Sequence, residues 1–360
     1  MNTRGCNMDL YVMNQSFETI GIIDSASSVI WNQRFFDCGD FEIYLRADKE
    51  TVSLLKENHY IYRLDHEMVG IIENKTITTS AEEGNYYTIT GRFLESILSR
   101  RIAWNQTTIS GNAEECIRQL ITDNVISPAD PKRKIENFLL DEKVGFTETI
   151  KDFDLQSNGE NLLETITAIC KTYKIGYKVT LTPENQFLFS LYRGEDRSYG
   201  QNVNNYVVFS PEFDNLISSE YTYNRDEYRN AAIVVGEGEG TSQKRVSIGE
   251  TSGLLRYEAR IDGSGVSSNG EIITAQTYEK MLIEYGKEQL GTYKIMEGIS
   301  GEVENNSTYQ ADKDYFLGDI VSVENEYGIG ADTRVIEILE NEDESGYKIV
   351  PTFDTWEVRE

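Results

Sequence analysis

Two histidines, four cysteines and one glycine-rich turn are the places in this 360-residue sequence where residue type and spacing could do chemistry. His59 and His66 stand seven apart around a strand expected over 60–64. That spacing is not the i, i+4 pair of a helical metal site, and strand alternation sends the two rings to opposite faces. Asp65 and Glu67 flank His66, so a weak metal site can be drawn there, with exposed polar turn residues as the plainer alternative. Cys6, Cys38, Cys116 and Cys170 are far apart, form no C-x-x-C, and read as free thiols of a chain made in a reducing compartment. The run Gly236-Glu-Gly238-Glu-Gly240 follows an apolar strand as a dinucleotide fingerprint would. However, Thr241 occupies the third glycine position, Glu237 and Glu239 would repel a pyrophosphate, and no helix pattern follows. It reads as a glycine-rich strand exit. The acidic groups Asp152/Asp154 and Glu342/Asp343/Glu344 single out no catalytic pair, because acids are abundant throughout, and no G-x-S-x-G, H-E-x-x-H or P-loop string is present. The sequence therefore assigns no catalytic, cofactor or metal residue, and the chain is expected not to be an enzyme.

The same abundance of acids bounds the partners. Thirty-four Lys+Arg against 61 Asp+Glu give a formal net charge of −27. Such a surface opposes stable binding to a phosphate backbone or an anionic membrane. No signal-peptide pattern and no run of 18 apolar residues occurs, so no membrane-spanning segment is expected. The basic trio Lys132-Arg133-Lys134 could dock an acidic neighbour or form a solvated loop.

The elements that must carry these residues are mostly strands. Over residues 1–105 the pattern predicts strands at 9–13, 20–24, 28–35, 41–46, 60–64, 69–78 and 86–90. Phe41, Ile43 and Leu45 form the dry face of one of them. A short helix capped by Asp48 and a two-turn helix over 93–101 complete this part, with a turn around Glu83-Gly84. Residues 106–204 read as a small α+β domain. Asn112 and Glu115 spell a capping box, and a second helix over 159–174 is expected to end at Gly176 as its C-cap, with strands over 177–181 and 186–192. From 205 the chain returns to strands, interrupted over 246–294 by a Gly/Ser-rich loop and an amphipathic helix over 271–290 that buries Tyr278, Met281, Leu282 and Tyr285. The last residues predict a strand at 320–323 and a hairpin of 334–340 with 347–353 turning at Glu344-Ser345-Gly346. The fold class expected is α+β, mostly β.

Several landmarks occur together and in order: Trp31…Gly39-Asp40-Phe41-Glu42; Gly70-Ile71-Ile72-Glu73; Gly91-Arg92-Phe93-Leu94…Arg100-Arg101; Phe209-Ser210…Phe213…Asn215-Leu216; Asn230-Ala231…Gly236-Glu-Gly238-Glu-Gly240; Gly253-Leu254…Arg256; and Tyr315…Gly318-Asp319. In these motifs the chain resembles the baseplate hub proteins of phage tails, over nearly its whole length. The resemblance implies two tube-type β-barrel domains with inserted or flanking α+β pieces: 1–105 as the first barrel, 106–204 as an inserted α+β domain, 205–245 with 295–360 as the second barrel, and 246–294 as a small insertion. It implies a homotrimeric ring around a channel, joining a six-fold tail tube or distal tail protein above to a three-fold spike or tip protein below. A tape measure protein would occupy the channel, in a phage, prophage or contractile injection particle. Net negative charge suits a channel wall that DNA passes without adhering. Some hub proteins carry a peptidoglycan hydrolase, which keeps that activity as an alternative, although little sequence follows the last strands to hold one. A carbohydrate-binding tail protein is the other, suggested by the tyrosines with Trp31, Trp104 and Trp356. The motif glycines, Gly39, Gly70, Gly91, Gly236, Gly238, Gly240 and Gly318, are expected to serve backbone geometry. Asp40 and Asp319 are expected to bond turn amides, and Phe41, Arg92, Asn215 and Asn230 complete the structural motif.

Overall fold

The computed structural model describes residues 8–80, 84–104, 107–157, 159–266, 274–303 and 308–357. Cys6, Glu83 of the expected turn, and residues 267–273 of the Gly/Ser-rich loop and helix start lie outside them. The chain forms two units: Met1–Glu220 with Ser300–Asp354, and Tyr221–Ile299 with Thr355–Glu360.

In the first unit the dry face of strand Asp40–Arg46 is as the alternation requires, with Phe41, Ile43 and Leu45 buried and Glu42 and Arg46 exposed. Trp31, Phe93, Tyr87, Leu10 and Val12 close the core around it. Asp48 caps the helix Lys49–Leu54 by accepting the amides of Glu50 and Thr51 at 2.9 and 2.8 Å, and its own amide donates to the Thr51 hydroxyl at 3.1 Å.

Two separate barrels are not what these strands build. Among the described residues they join one open sheet with no closed barrel. Its order is Leu216–Asn224, Met296–Val303, Gly346–Phe353, Gly330–Asp343, Ala26–Arg34, Asp40–Arg46, Gly84–Phe93, Val69–Ser80, Tyr60–Tyr62, Leu10–Met13, Thr19–Ile23. The cause is the length of strand Gly330–Asp343. One edge pairs with Gly346–Phe353, and the other pairs antiparallel with Ala26–Arg34, from Glu337 opposite Arg34 to Glu342 opposite Val29. A strand edge seeks a hydrogen-bonding partner whatever its distance in sequence, and periodicity carries no record of which edge it finds.

The α+β piece packs into the same unit. Helix Ala113–Ile121 starts at Asn112, whose side chain accepts the Glu115 amide at 3.1 Å, while the Glu115 carboxylate pairs with Lys143. Its neighbour Glu114, which the pattern did not mark, is buried and accepts the amides of Val144, Gly145 and Phe146 at 2.8 to 3.0 Å. Helix Leu162–Tyr173 is capped by Asn161, and it ends differently from expectation. Lys174 takes the left-handed conformation at φ +55°, and Gly176 instead opens strand Gly176–Leu181. The segment expected as a two-turn helix is a 3-10 helix, Leu94–Arg100, with Leu94, Ile97 and Leu98 buried.

In the second unit, strand Ala231–Val235 lies between Arg245–Ile248, antiparallel, and Glu258–Asp262, parallel. Helix Ala275–Leu290 covers this small sheet with Tyr278 and Leu282 against Val234, Val246 and Ile248. The expected end of the second barrel at residue 245 falls within strand Arg245–Ile248.

Candidate functional site

The motif residues gather at separate places, each built around an aromatic ring or a turn. In the first, glycines make room for Phe41 and Phe93. Antiparallel register sets Phe41 opposite Gly91, and Gly91 opposite Ile72. A Cβ on Gly70 would stand 2.4 Å from the Phe41 ring, and one on Gly39 would stand 2.5 Å from the Phe93 ring. On Gly91 it would stand 1.8 Å from the Ile71 carbonyl oxygen. None of the three has positive φ, so the requirement is space rather than conformation. Asp40 does not bond turn amides. Its carboxylate receives Arg34 Nη1 at 2.7 Å, and Arg34 Nε reaches Glu337 at 2.8 Å. Arg92 grips Glu73 with two bonds of 2.8 Å. Beside this slot Glu95 is wholly buried, accepting the Val179 amide at 3.1 Å and facing the Cys38 thiol at 3.9 Å. Burial with so few donors pushes its pKa up to about 7.

The second slot holds Phe35. Cβ atoms on Gly176 and Gly318 would stand 2.2 and 2.4 Å from its ring, and one on Gly194 would stand 2.0 Å from the Gly318 carbonyl carbon. Gly318 also has φ +97°, a conformation side chains rarely adopt. Tyr192 meets the Phe35 ring edge-on at 5.2 Å, and the Arg334 guanidinium lies 5.3 Å from its centre. The next residue, Asp319, is buried and accepts three bonds: the amides of Glu195 and Phe316 at 2.7 and 3.0 Å, and Arg197 Nε at 2.7 Å. It thereby pins residues 195–197 to the start of strand Ile320–Glu324. Asn215 acts similarly on a turn, accepting the Ser210 amide at 2.9 Å and donating to the Val208 carbonyl at 2.7 Å.

In the second unit Asn230 bridges the Leu255 carbonyl, at 2.8 Å, and the Tyr257 amide, at 2.9 Å. A Cβ on Gly236 would meet the Tyr278 hydroxyl at 2.7 Å, and that hydroxyl accepts the Glu237 amide at 2.9 Å. Gly238 and Gly240 have φ +102° and +57°. This run is a strand exit, packed at Gly236 and exposed from Glu237 to Gly240.

Of the two histidines, His59 bonds the Leu54 carbonyl at 2.9 Å. His66 enters a cluster that does not include Glu67: its Nε2 lies 3.1 Å from Asp312 and 3.3 Å from Glu340. Burial alone would lower its pKa, but the two carboxylates hold it up at about 9. Glu340 is buried, and its other oxygen accepts Arg63 Nη1 at 2.9 Å and the Tyr347 hydroxyl at 2.5 Å. Burial raises its pKa, but His66, Arg63 and Tyr347 together hold it below the carboxylate range. Asp65 pairs with Arg63 through two bonds of 3.0 and 2.7 Å. A cleft of about 300 Å³ opens beside the cluster, lined among others by Gln33, Lys178, Arg193, Arg197, Asp312 and Asp319.

Sequence reasoning missed Phe35, Gly194, Arg63, Asp312 and Glu340. Only the last had a readable signal, since Glu340 and Glu342 follow buried Ile338 at i+2 and i+4 and therefore share its inward face. The tryptophans offer no common sugar platform, because Trp31 is fully buried. Arg133 of the basic trio bonds the Ile102 carbonyl at 2.7 Å and stacks 4.7 Å over Trp104, so it is committed within the fold.

The chain matches the family described as Siphovirus ReqiPepy6 Gp37-like protein over residues 9–353. It belongs to that family. No curated protein matches it. Among solved structures it is similar to the tail protein of Neisseria meningitidis MC58, at 15% identity and a TM-score of 0.56, covering 97% of this chain and 96% of that one. It is also similar to the 43 kDa tail protein of prophage MuSo2 from Shewanella oneidensis, at 12% identity and a TM-score of 0.58, covering 96% and 98%. The prophage tail protein gp18 of Listeria monocytogenes EGD-e matches at 11% identity and a TM-score of 0.50, covering 96% and 94%. This member of the Gp37-like family thus shares its mostly β fold with these tail proteins, and the sites above are packing and turn devices. No helix among the described residues is long and apolar enough to cross a membrane.

Proposed function

We propose that the chain is the baseplate hub of a phage tail or tail-like particle: a homotrimeric ring that adapts a six-fold tail tube, or distal tail protein, to a three-fold spike or tip protein, with the tape measure protein in its channel. The observation that carries this reading is the family match from residue 9 to residue 353. It spans the hub-like motifs at both ends of the chain, so the resemblance is not that of one borrowed domain. Physical features support it. The sheet is open, and its edge strand Thr19–Ile23 exposes Ile20 and Ile22 at 42% and 53%, while Ile217 in the strand at the other edge is 56% exposed. Exposed apolar edge strands are a liability in a free chain and are covered when copies pair in a ring. On this reading residues 1–105 and 205–245 with 295–360 act as the two tube-type barrel elements, completed by neighbouring copies, while 106–204 and 246–294 are attachments.

The net charge of −27 fits a channel that repels DNA rather than holding it. The reading is tested by labelling native particles with antibody to this chain. Label confined to the distal end of the tail tube supports it. Label along the tube, on the fibres or absent from particles contradicts it.

A further inference from the structure

The cluster of His66, Asp312 and Glu340 joins three segments far apart in sequence, and the hub reading gives it no task. Its geometry poses a bonding problem. One imidazole nitrogen, Nε2, faces Asp312 Oδ2 at 3.1 Å and Glu340 Oε1 at 3.3 Å. A single N–H there can serve only one of them. Glu340 Oε1 is buried in a side chain 4% exposed and takes part in no hydrogen bond. A buried carboxylate oxygen with no hydrogen bond is costly; the imidazole 3.3 Å away offsets part of that cost through charge and leaves the hydrogen bond unmade.

We propose that His66 Nε2, Asp312 Oδ2 and Glu340 Oε1 bind one divalent transition-metal ion of the zinc or manganese type. The separations support this. Ligands about 2.0 to 2.2 Å from one ion stand roughly 3.0 to 3.5 Å from each other, and His66 Nε2 stands at that spacing from both carboxylate oxygens, at 3.1 and 3.3 Å. All three ligand atoms lie within 4.8 Å of one another. One imidazole with two carboxylates suits zinc or manganese; magnesium and calcium prefer oxygen alone.

The surroundings resemble an outer shell around such a site. Arg63 and Tyr347 hold the far oxygen of Glu340, fixing the direction of Oε1. Asp312 is held at φ +59°, with its amide bonded to the Tyr315 carbonyl at 2.9 Å. The Gln33 amide stands 3.3 Å from His66 Nε2, and turning it over would present its oxygen to the ion. Asp312 is half exposed and lines the cleft, which gives an ion its entry and leaves room for water ligands. When metal binds Nε2 the ring proton resides on Nδ1, which is buried and has no hydrogen-bond partner. The ion would tie together the segments around residues 66, 312 and 340 and stabilise the folded chain by mass action.

The test uses the full chain stripped with chelator and titrated with zinc or manganese ions alone, read by calorimetry and by metal content after dialysis. The expected result is one tight equivalent, a rise in Tm on loading, and at least tenfold weaker binding in Asp312→Asn and in His66→Gln, with His59→Gln unchanged. Asp312→Asn changes a half-exposed side chain and should keep the fold, which circular dichroism without metal checks. Absence of a saturable equivalent overturns the proposal. So does binding that persists in Asp312→Asn, which would mark weak attachment to the acidic surface.

Discussion

The two aromatic slots solve one packing problem in two ways, and the difference shows what a sequence can disclose. Phe41 lies across neighbouring strands of one sheet, and the glycines that admit it sit on the next strand, Gly91, and on the strand beyond that, Gly70. Phe35 is clasped between Gly176, which opens a strand of the α+β piece, and Gly318, which lies near the end of the chain. A carboxylate accompanies each slot. Glu95 beside the first has the Val179 amide, its own amide and a distant thiol but no positive charge, whereas Asp319 beside the second has two amides and an arginine. The local slot is therefore set by space at its glycines and leaves its buried carboxylate weakly supported, whereas the long-range slot adds a positive φ at Gly318 and a well-bonded carboxylate.

The sharpest way to break this comparison is at Gly91. Its Cβ would meet a backbone carbonyl that cannot move aside, so Gly91→Ala is expected to cost about 4 kcal/mol or more and to yield little folded chain, measured by soluble expression and denaturant unfolding. Gly318→Val comes next. Positive φ and the Phe35 ring together should cost about 3 to 4 kcal/mol, and more than any carboxylate-to-amide change in the chain.

Glu95 sharpens the comparison through pH. Its pKa is about 7 folded and about 4.5 unfolded, so the folded chain holds the extra proton. The stability contributed by Glu95 is then greatest below pH 4.5, falls as pH rises from 4.5 to 7, and levels off above. The total loss is about 3 kcal/mol. Urea unfolding of wild type and Glu95→Gln at pH 5 and pH 6.5, below the range in which His66 adds a slope of its own, should show this slope in the wild type and its loss in the variant. Asp319→Asn turns one acceptor into a donor facing donors already in place, at an expected cost of about 2 kcal/mol by the same unfolding measurement. The smallest effect belongs to Gly240→Ala. Open space surrounds that position, and only φ +57° opposes a side chain, so the cost should be about 1 kcal/mol or less by the same unfolding measurement.

These contrasts account for what was legible in the sequence. The alternation of Phe41, Ile43 and Leu45 and the Asp48 cap are written in neighbouring residues, and the structure follows them. Helix Ala275–Leu290 was legible from the spacing of Tyr278 and Leu282, with the first residues of the expected span outside the described part. The C-cap at Gly176 was misplaced because Lys174 can take the left-handed conformation itself, leaving the glycine free to make room for Phe35. The single open sheet was not legible, because the pairing of Gly330–Asp343 with Ala26–Arg34 links residues some 300 apart and no periodicity names a partner. Asp312 and His66 approach each other for the same long-range reason. Local rules stated which residues turn inward; only the assembled chain shows what they meet.

The central claim is that this chain forms a three-copy hub at the end of a tail. Its most direct test is the number of copies per native particle, from quantitative mass spectrometry of purified particles against a tail protein of known stoichiometry. The account predicts about three copies per particle. Tens of copies, as a tube subunit would give, or none, would contradict it.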